Sequence, residues 1–162
     1  MEVVALRDIH SREEILNSYL DSSVELSSTE RRKVIQGEWH FSCNCPICAG
    51  KEVAASDERR EKITEIKEQI KAAGTNPGRA LKHVKTLLSL YDEEGMILPL
   101  PANYWFAAVA SNALGSGTEA IGFARLARKY WTIMFGDDSD MVKEMLEFER
   151  DPTSHPSRRR SD

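Results

Sequence analysis

The sequence predicts a mainly α-helical protein with a short β segment near its N-terminus. From residue 57 onward, apolar residues recur three and four positions apart, and stretches rich in glycine or proline divide the chain into helix-length pieces. The first 50 residues instead carry short apolar runs and a cysteine-rich loop. The expected order is therefore a β segment, a cysteine loop and an antiparallel helical array.

Two short strands are predicted at the N-terminal end. Met1 to Asp8 carries one apolar run and Ile15 to Leu20 carries another, with a polar turn around Arg12 between them. A lone two-stranded hairpin is marginally stable in water, so these strands are expected to be the remnant of a larger sheet. A serine-rich linker from Asp21 to Ser28 follows.

The next segment predicts a short helix and a metal-binding loop. The helix covers Thr29 to Gly37, with Ser28 or Thr29 as its N-cap and Gly37 as its stop. All three cysteines of the chain follow in the stretch WHFSCNCPIC, with the spacing C-x-C-x-x-C.

Zinc is the metal that this spacing favours. Tetrahedral Zn²⁺ takes thiolates at roughly 2.3 Å, and the spacing lets Cys43, Cys45 and Cys48 reach one point. The candidates for the fourth zinc ligand are His40, another group of this chain, and a cysteine on sequence that the chain does not contain. The alternative is three reduced thiols in an intracellular loop, because cysteines so close in sequence make poor disulfide partners.

Five helices are predicted in the remainder of the chain. Their spans are 57–73 with Ser56 as N-cap, 79–93, 102–114, 118–135 and 140–149. Alanines at regular intervals on the third and fourth, joined by a Gly-Ser-Gly turn, predict close packing and resemble a tetratricopeptide-type pair. A generic helical bundle is the alternative.

Composition narrows the function classes. Apolar residues make up 41% and charged residues 30% of 162 residues, and no apolar run approaches the ~18 residues of a membrane span, which predicts a soluble protein with no membrane partner. The net charge of −4 argues against direct nucleic-acid binding. The cluster Arg158 to Arg160 either contacts an acidic partner or is a solvated tail. The sequence contains no glycine-rich phosphate loop, G-x-S-x-G or H-E-x-x-H motif.

Two stretches resemble the end of a SET domain, the lysine methyltransferase fold. Residues 12–21, REEILNSYLD, are similar to the sequence pattern that closes a SET domain, which is GEE, then three mostly apolar residues, then SY. STERRKVIQGEWHFSCNCPIC, residues 28–48, resembles the helix and post-SET cysteine loop of the SET-and-MYND type, whose C-terminal region also has helical-repeat character. Arg12 stands where glycine is usual, and Asn17 stands where an apolar residue usually points into the core.

The resemblance implies a cofactor, a substrate class and roles for individual residues. The cofactor is S-adenosylmethionine, and the substrate is a lysine of a histone or another protein, in the nucleus or cytoplasm. Tyr19 matches the tyrosine beside the substrate amine and the transferred methyl group, and Phe41 matches the ring that stacks on the adenine. Trp39 is the alternative stacking ring. The alternative interpretation of Tyr19 is an ordinary half-buried tyrosine. The alternative for Phe41 and Trp39 is that their rings cover the metal site.

The sequence is therefore interpreted as the C-terminal part of a SET-domain lysine methyltransferase. Residues 1–27 are assigned to the SET remnant, 28–50 to the post-SET helix and cysteine loop, 51–150 to helical repeats and 151–162 to a disordered tail. The chain alone is expected to be incomplete and inactive, because the cofactor-binding glycine segment and the asparagine-histidine motif of the family lie outside it. The alternatives are a zinc-stapled helical-repeat module that binds a partner peptide without catalysis, and a truncated gene model.

Overall fold

The computed structural model describes residues 4–15, 18–20 and 25–158. In these ranges the chain forms seven α-helices: α1 (Ser28–Trp39), α2 (Pro46–Ala49), α3 (Val53–Ala72), α4 (Pro77–Glu93), α5 (Leu100–Ala113), α6 (Gly117–Phe135) and α7 (Asp140–Arg150). They belong to two compact units, residues 9–65 and residues 66–162 together with residues 1–8. None of the helices in the described ranges combines the length and apolar character that a membrane span requires.

Several residues that the sequence analysis singled out lie outside the described ranges. They are Val3 of the first predicted strand, Leu16 and Asn17 of the second, Asp21 to Val24 of the linker, and Arg159 and Arg160 of the basic cluster.

The predicted fold class, with its β remnant, is wrong: the described part of the chain is helical and contains no strand. The N-terminal residues instead make a local polar turn, in which the Glu13 amide donates to the His10 carbonyl at 3.0 Å and Arg12 has φ +67°. The Glu13 carboxylate accepts from the His10 amide at 2.9 Å. A strand is stable only when a neighbouring strand binds its backbone groups, and short apolar runs do not supply that partner.

The five helices predicted after residue 57 correspond to α3 through α7, with shifted ends. Helix α3 begins at Val53, so Ser56 is a fully buried residue inside the helix and not its N-cap. Helix α1 continues past Gly37 to Trp39, and Ser27 is its N-cap instead of Ser28 or Thr29.

In the larger unit, α4 is defined by clear start and stop signals. Its N-cap Asn76 accepts a hydrogen bond from the Arg79 amide at 3.0 Å. At its other end, Gly95 has φ +63°, and the Met96 amide donates to the Tyr91 carbonyl at 2.8 Å, which is a Schellman ending. The apolar stripe between these ends is buried: Ala80, Leu81, Val84, Leu87, Leu88 and Tyr91.

Helices α5 and α6 pack closely through alanines. Gly115, with φ +83°, makes the turn between them, where the Ser116 amide donates to the Ser111 carbonyl at 2.9 Å. Side chains that are 0% exposed lie along both helices: Ala107, Ala108, Ala120, Ala124 and Ala127. Small side chains let two helix backbones approach one another, so the alanine periodicity identifies the packed faces.

Helix α7 and the residues after it close this unit. Phe148 of α7 joins Ala108, Ala120 and Ala124 in the core. Asn112 on α5 is fully buried, and its side-chain amide donates to the Pro152 carbonyl at 2.7 Å and to Ser157 Oγ at 2.9 Å. The sequence pattern of the tail gave no indication of these contacts.

Candidate metal centre and aromatic cluster

The site lies in the unit formed by residues 9–65, and α1 is its first support. A capping box starts this helix: Ser27 Oγ accepts from the Glu30 amide at 3.3 Å, and the Glu30 carboxylate accepts from the Ser27 amide at 3.1 Å. The Ser27 hydroxyl also donates to the Glu30 carboxylate at 2.6 Å, and this hydrogen bond, together with the one from the Ser27 amide, lowers the pKa of Glu30. Helix α1 ends at Trp39, and its C-cap His40, with a left-handed φ of +57°, turns the chain into the cysteine loop.

The cysteine loop contains the short helix α2. Pro46 stands at the first helical position, where its missing N–H is not needed. The Cys45 carbonyl accepts from the Cys48 amide at 3.0 Å, and the Pro46 carbonyl accepts from the Gly50 amide at 2.9 Å. A Cβ at Gly50 would lie 2.3 Å from the Pro46 oxygen, so the close approach that ends this turn requires glycine.

The turn brings the three thiols together. The Sγ atoms of Cys43, Cys45 and Cys48 all lie within 4.8 Å of one another, and Cys48 is 3% exposed. Three thiolates around a tetrahedral zinc ion are about 3.8 Å apart, which follows from bonds of roughly 2.3 Å. The three sulfurs therefore fit zinc with little rearrangement.

The thiols differ in acidity. Burial raises the pKa of Cys43 to about 11. Burial acts in the same direction on Cys45, but hydrogen bonds from the Cys43 thiol and from the Cys48 amide outweigh it and lower the pKa of Cys45. Three ionised thiols at this separation need a cation to offset their mutual repulsion, and a divalent metal supplies that charge.

His40 does not join this group. Among the described residues, the one group of three or more mutually close ligand atoms consists of the three cysteine sulfurs. The described residues thus provide three metal ligands, all of them thiols.

Arg31 connects α1 to the cysteine loop. Its side chain is 2% exposed, and its guanidinium donates to the Ile47 carbonyl at 2.9 Å and also to the Leu26 carbonyl. Ile47 lies between Cys45 and Cys48, so this hydrogen bond fixes the backbone that carries the two ligands.

Asp57 connects α1 to α3. Its carboxylate accepts from the Ser28 amide at 2.6 Å and from Ser28 Oγ at 2.7 Å. Burial alone raises the pKa of Asp57, but the Ser28 hydrogen bonds and the nearby charges of Arg31 and Arg60 outweigh it and leave the pKa lowered. The folded unit therefore favours the ionised carboxylate.

We expect Asp57→Asn to reduce stability at neutral pH by about 1–2 kcal/mol, because a charged acceptor of two hydrogen bonds is lost. Since the pKa of Asp57 is lowered on folding, its contribution is fully present above the unfolded-state pKa of about 3.9 and is lost as the pH falls through the folded-state value. Urea unfolding at neutral pH and near pH 2.5 measures the difference, which shrinks in acid.

The control is Glu58→Gln, which removes the neighbouring exposed carboxylate and its 2.8 Å ion pair with Lys62. A surface pair of this kind contributes little to stability, because solvent screens both charges. Equal destabilisation by the two variants at neutral pH would contradict the role of Asp57.

Three aromatic rings form a cluster, two of them just before the cysteine loop in sequence and the third far from it. The Tyr19 ring lies 5.1 Å from Phe41 and 5.3 Å from Trp39, edge-on to both. The rings of Tyr19, Phe41 and Trp39 are 49%, 36% and 51% exposed. Buried Leu20 and a local turn, in which Ser18 Oγ donates to the Leu20 carbonyl at 2.9 Å, hold the backbone on either side of Tyr19.

The structure thus brings together the residues that the sequence singled out in two groups. The three cysteines form one group, and Tyr19 and Phe41, 22 positions apart, form the other. The catalytic and cofactor-binding roles of Tyr19 and Phe41 stay predictions. Arg31 was missed, although its spacing of three from Ser28 and four from Ile35 places it on the buried face of α1.

Comparison with known proteins identifies a methyltransferase relative. The chain is 28% identical over 158 residues to the histone-lysine N-methyltransferase set5 of Schizosaccharomyces pombe, covering 94% of this chain and 49% of that protein. It therefore spans about half the length of the curated relative it matches. No protein-family model matches the chain. The likeness over nearly the whole chain supports a relationship to SET-domain methyltransferases.

Proposed function

We propose that this chain is part of a histone-lysine methyltransferase that uses S-adenosylmethionine, and that it contributes a post-SET zinc loop and one wall of the methyl-transfer site. The observation that carries the proposal is the contact between Tyr19 and Phe41, at 5.1 Å, because two residues to which the SET resemblance assigns roles lie side by side although they are far apart in sequence. The 28% identity to a histone-lysine N-methyltransferase supports the same assignment. Within the SET-domain methyltransferases, we assign the chain to the SET-and-MYND type.

Tyr19 would act on the substrate amine. Its phenolic oxygen accepts a hydrogen bond from the lysine N–H, which leaves the nitrogen lone pair free and directs it toward the methyl carbon. S-adenosylmethionine, when bound, supplies the electrophilic methyl group. The exposed hydroxyl-bearing ring of Tyr19 is accessible to such a substrate.

Phe41 would hold the cofactor base. Its ring is partly exposed and contacts Tyr19 in a T-shaped pair, so part of its surface is accessible to a flat base. Stacking on an aromatic ring contributes ~1–3 kcal/mol per base. Trp39, which contacts Tyr19 at 5.3 Å, is the other ring capable of this contact.

The zinc loop would hold these rings in place. Cys43 follows Phe41 by two residues, so a metal ion that fixes the three sulfurs also fixes the end of the segment that carries Phe41 and Trp39. This role is structural, since all three candidate ligands are cysteines, as in closed zinc sites.

Titration of the chain with S-adenosylmethionine tests the proposal. We expect weak binding that shifts the ring-proton signals of Phe41 and Tyr19 in nuclear magnetic resonance spectra, and we expect Phe41→Ala to weaken it about 5- to 150-fold, the loss of one stacking contact. Trp39→Ala is the matched control and has a smaller effect.

A helical module that binds a peptide without catalysis predicts a different result. Absence of any shift at millimolar cofactor would favour that module and contradict the proposal. A larger effect of Trp39→Ala than of Phe41→Ala would transfer the stacking role to Trp39.

A further inference from the structure

We infer that Arg31 is a positioning residue of the metal centre, which sets the affinity of the cysteine loop for its metal without touching the ion. The inference rests on the proposed zinc site. Its basis is a buried guanidinium that donates to the carbonyl between two candidate ligands.

The hydrogen bond from Arg31 acts at a sensitive point of the loop. Ile47 lies two residues after Cys45 and one before Cys48, and its carbonyl accepts from the Arg31 guanidinium at 2.9 Å. Helix α2 has only four residues, so few internal hydrogen bonds define its orientation. A contact from outside the loop is therefore needed to hold both cysteine backbones in one arrangement.

Arg31 is itself held on several sides. Its guanidinium also donates to the Leu26 carbonyl, just before the N-cap of α1, and the Asp57 carboxylate lies close enough for the charge of Arg31 to stabilise it. A planar guanidinium can donate to several carbonyls at once in fixed directions, which the point charge of a lysine does not do. The side chain thus transmits the position of α1 to the cysteine loop.

The magnitude follows from comparable metal sites. Residues that orient metal ligands through hydrogen bonds typically change metal affinity by about 10- to 100-fold when they are replaced. We expect Arg31→Met, which keeps an apolar stem but loses every donor, to weaken binding of Co²⁺, used as a spectroscopic probe of the zinc site, by this factor. We expect Arg31→Lys to recover part of the Co²⁺ affinity, because lysine keeps the positive charge and can still donate to one of the two carbonyls.

Two variants of the chain serve as controls. Arg32→Met removes the neighbouring arginine of α1, whose guanidinium donates to the Ser28 carbonyl at 3.4 Å and not to Ile47. Ile63→Val removes one methyl group from a fully buried side chain of α3 in the same unit, which lowers stability, and leaves the donor to Ile47 in place. Both controls are expected to bind Co²⁺ as the unaltered chain does.

The measurements are Co²⁺ affinity by competition with a chelator, the sulfur-to-cobalt charge-transfer intensity at saturation, and helicity by circular dichroism. A positioning role predicts weaker affinity with unchanged intensity, because the same three sulfurs still bind. Equal loss of affinity in Ile63→Val would overturn the inference in favour of a general effect on stability.

A measurement on the unaltered chain covers the case in which Arg31 variants fail to fold. Hydrogen exchange of the Arg31 guanidinium should slow at least about tenfold when zinc is added, because metal binding fixes the carbonyl that it donates to. Unchanged exchange would overturn the inference. If the unaltered chain binds neither zinc nor Co²⁺, the proposed metal centre itself fails; if it binds them and Arg31→Met binds equally, only the role of Arg31 fails.

Discussion

A chain with Cys48→Ser will retain no zinc through gel filtration, whereas the unaltered chain will carry about one ion per molecule. Cys48 is the most buried of the three thiols, at 3% exposure, and its sulfur lies within 4.8 Å of the other two. Serine offers a hydroxyl that does not ionise near neutral pH. The described ligand set falls from three to two, and we expect the affinity to fall by more than about 100-fold, beyond the effect of losing a supporting hydrogen bond.

Metal analysis by mass spectrometry after expression in zinc-supplemented medium measures this result. Ser42→Ala is the matched control, because Ser42 lies in the same loop and its hydroxyl makes only a 3.4 Å contact with Gln36. An unaltered chain that contains no zinc after such expression would refute the metal centre. Full zinc occupancy in Cys48→Ser would show that other groups bind the ion.

The helices were predictable because their signals are local. Period 3.6 in the apolar residues and the glycines at 95 and 115 act within one or two turns of chain, and the structure uses each of them. The strands were not predictable in this way. A short apolar run reads as a strand only if another strand is at hand, and the described N-terminal residues make a polar turn at Arg12 instead.

The candidate site shows the same difference between features that depend on local sequence and features that depend on tertiary contacts. The cysteine spacing brings three sulfurs together through a short turn, so the residue types and their spacing were enough to predict this group. The contact of Tyr19 with Phe41 depends on tertiary structure, and it was not predicted: the family resemblance only named the two residues as candidates. Arg31 and Asp57 were missed because charged residues are normally exposed, and the hydrogen bonds that these two make depend on partners from other elements.

We expect methyl transfer by the 162-residue chain on its own to be undetectable. Tyr19 and Phe41 are 49% and 36% exposed, so in the unit of residues 9–65 solvent reaches both rings. A methyl-transfer site must exclude water and align the amine with the methyl carbon, and loss of orientation alone forfeits on the order of 7–11 kcal/mol of barrier reduction. This corresponds to a rate loss of about 10⁵-fold or more.

Incubation of the chain with labelled S-adenosylmethionine and a histone mixture measures the rate. Any transfer that is detected must be traced to the site, so Tyr19→Phe is compared with Tyr130→Phe on α6, a tyrosine that stacks on Tyr104 at 5.9 Å in the other unit. Transfer that persists in both variants comes from a contaminant and leaves the expectation standing. Transfer that Tyr19→Phe abolishes and Tyr130→Phe preserves would refute it, because these residues would then assemble a working site without further sequence.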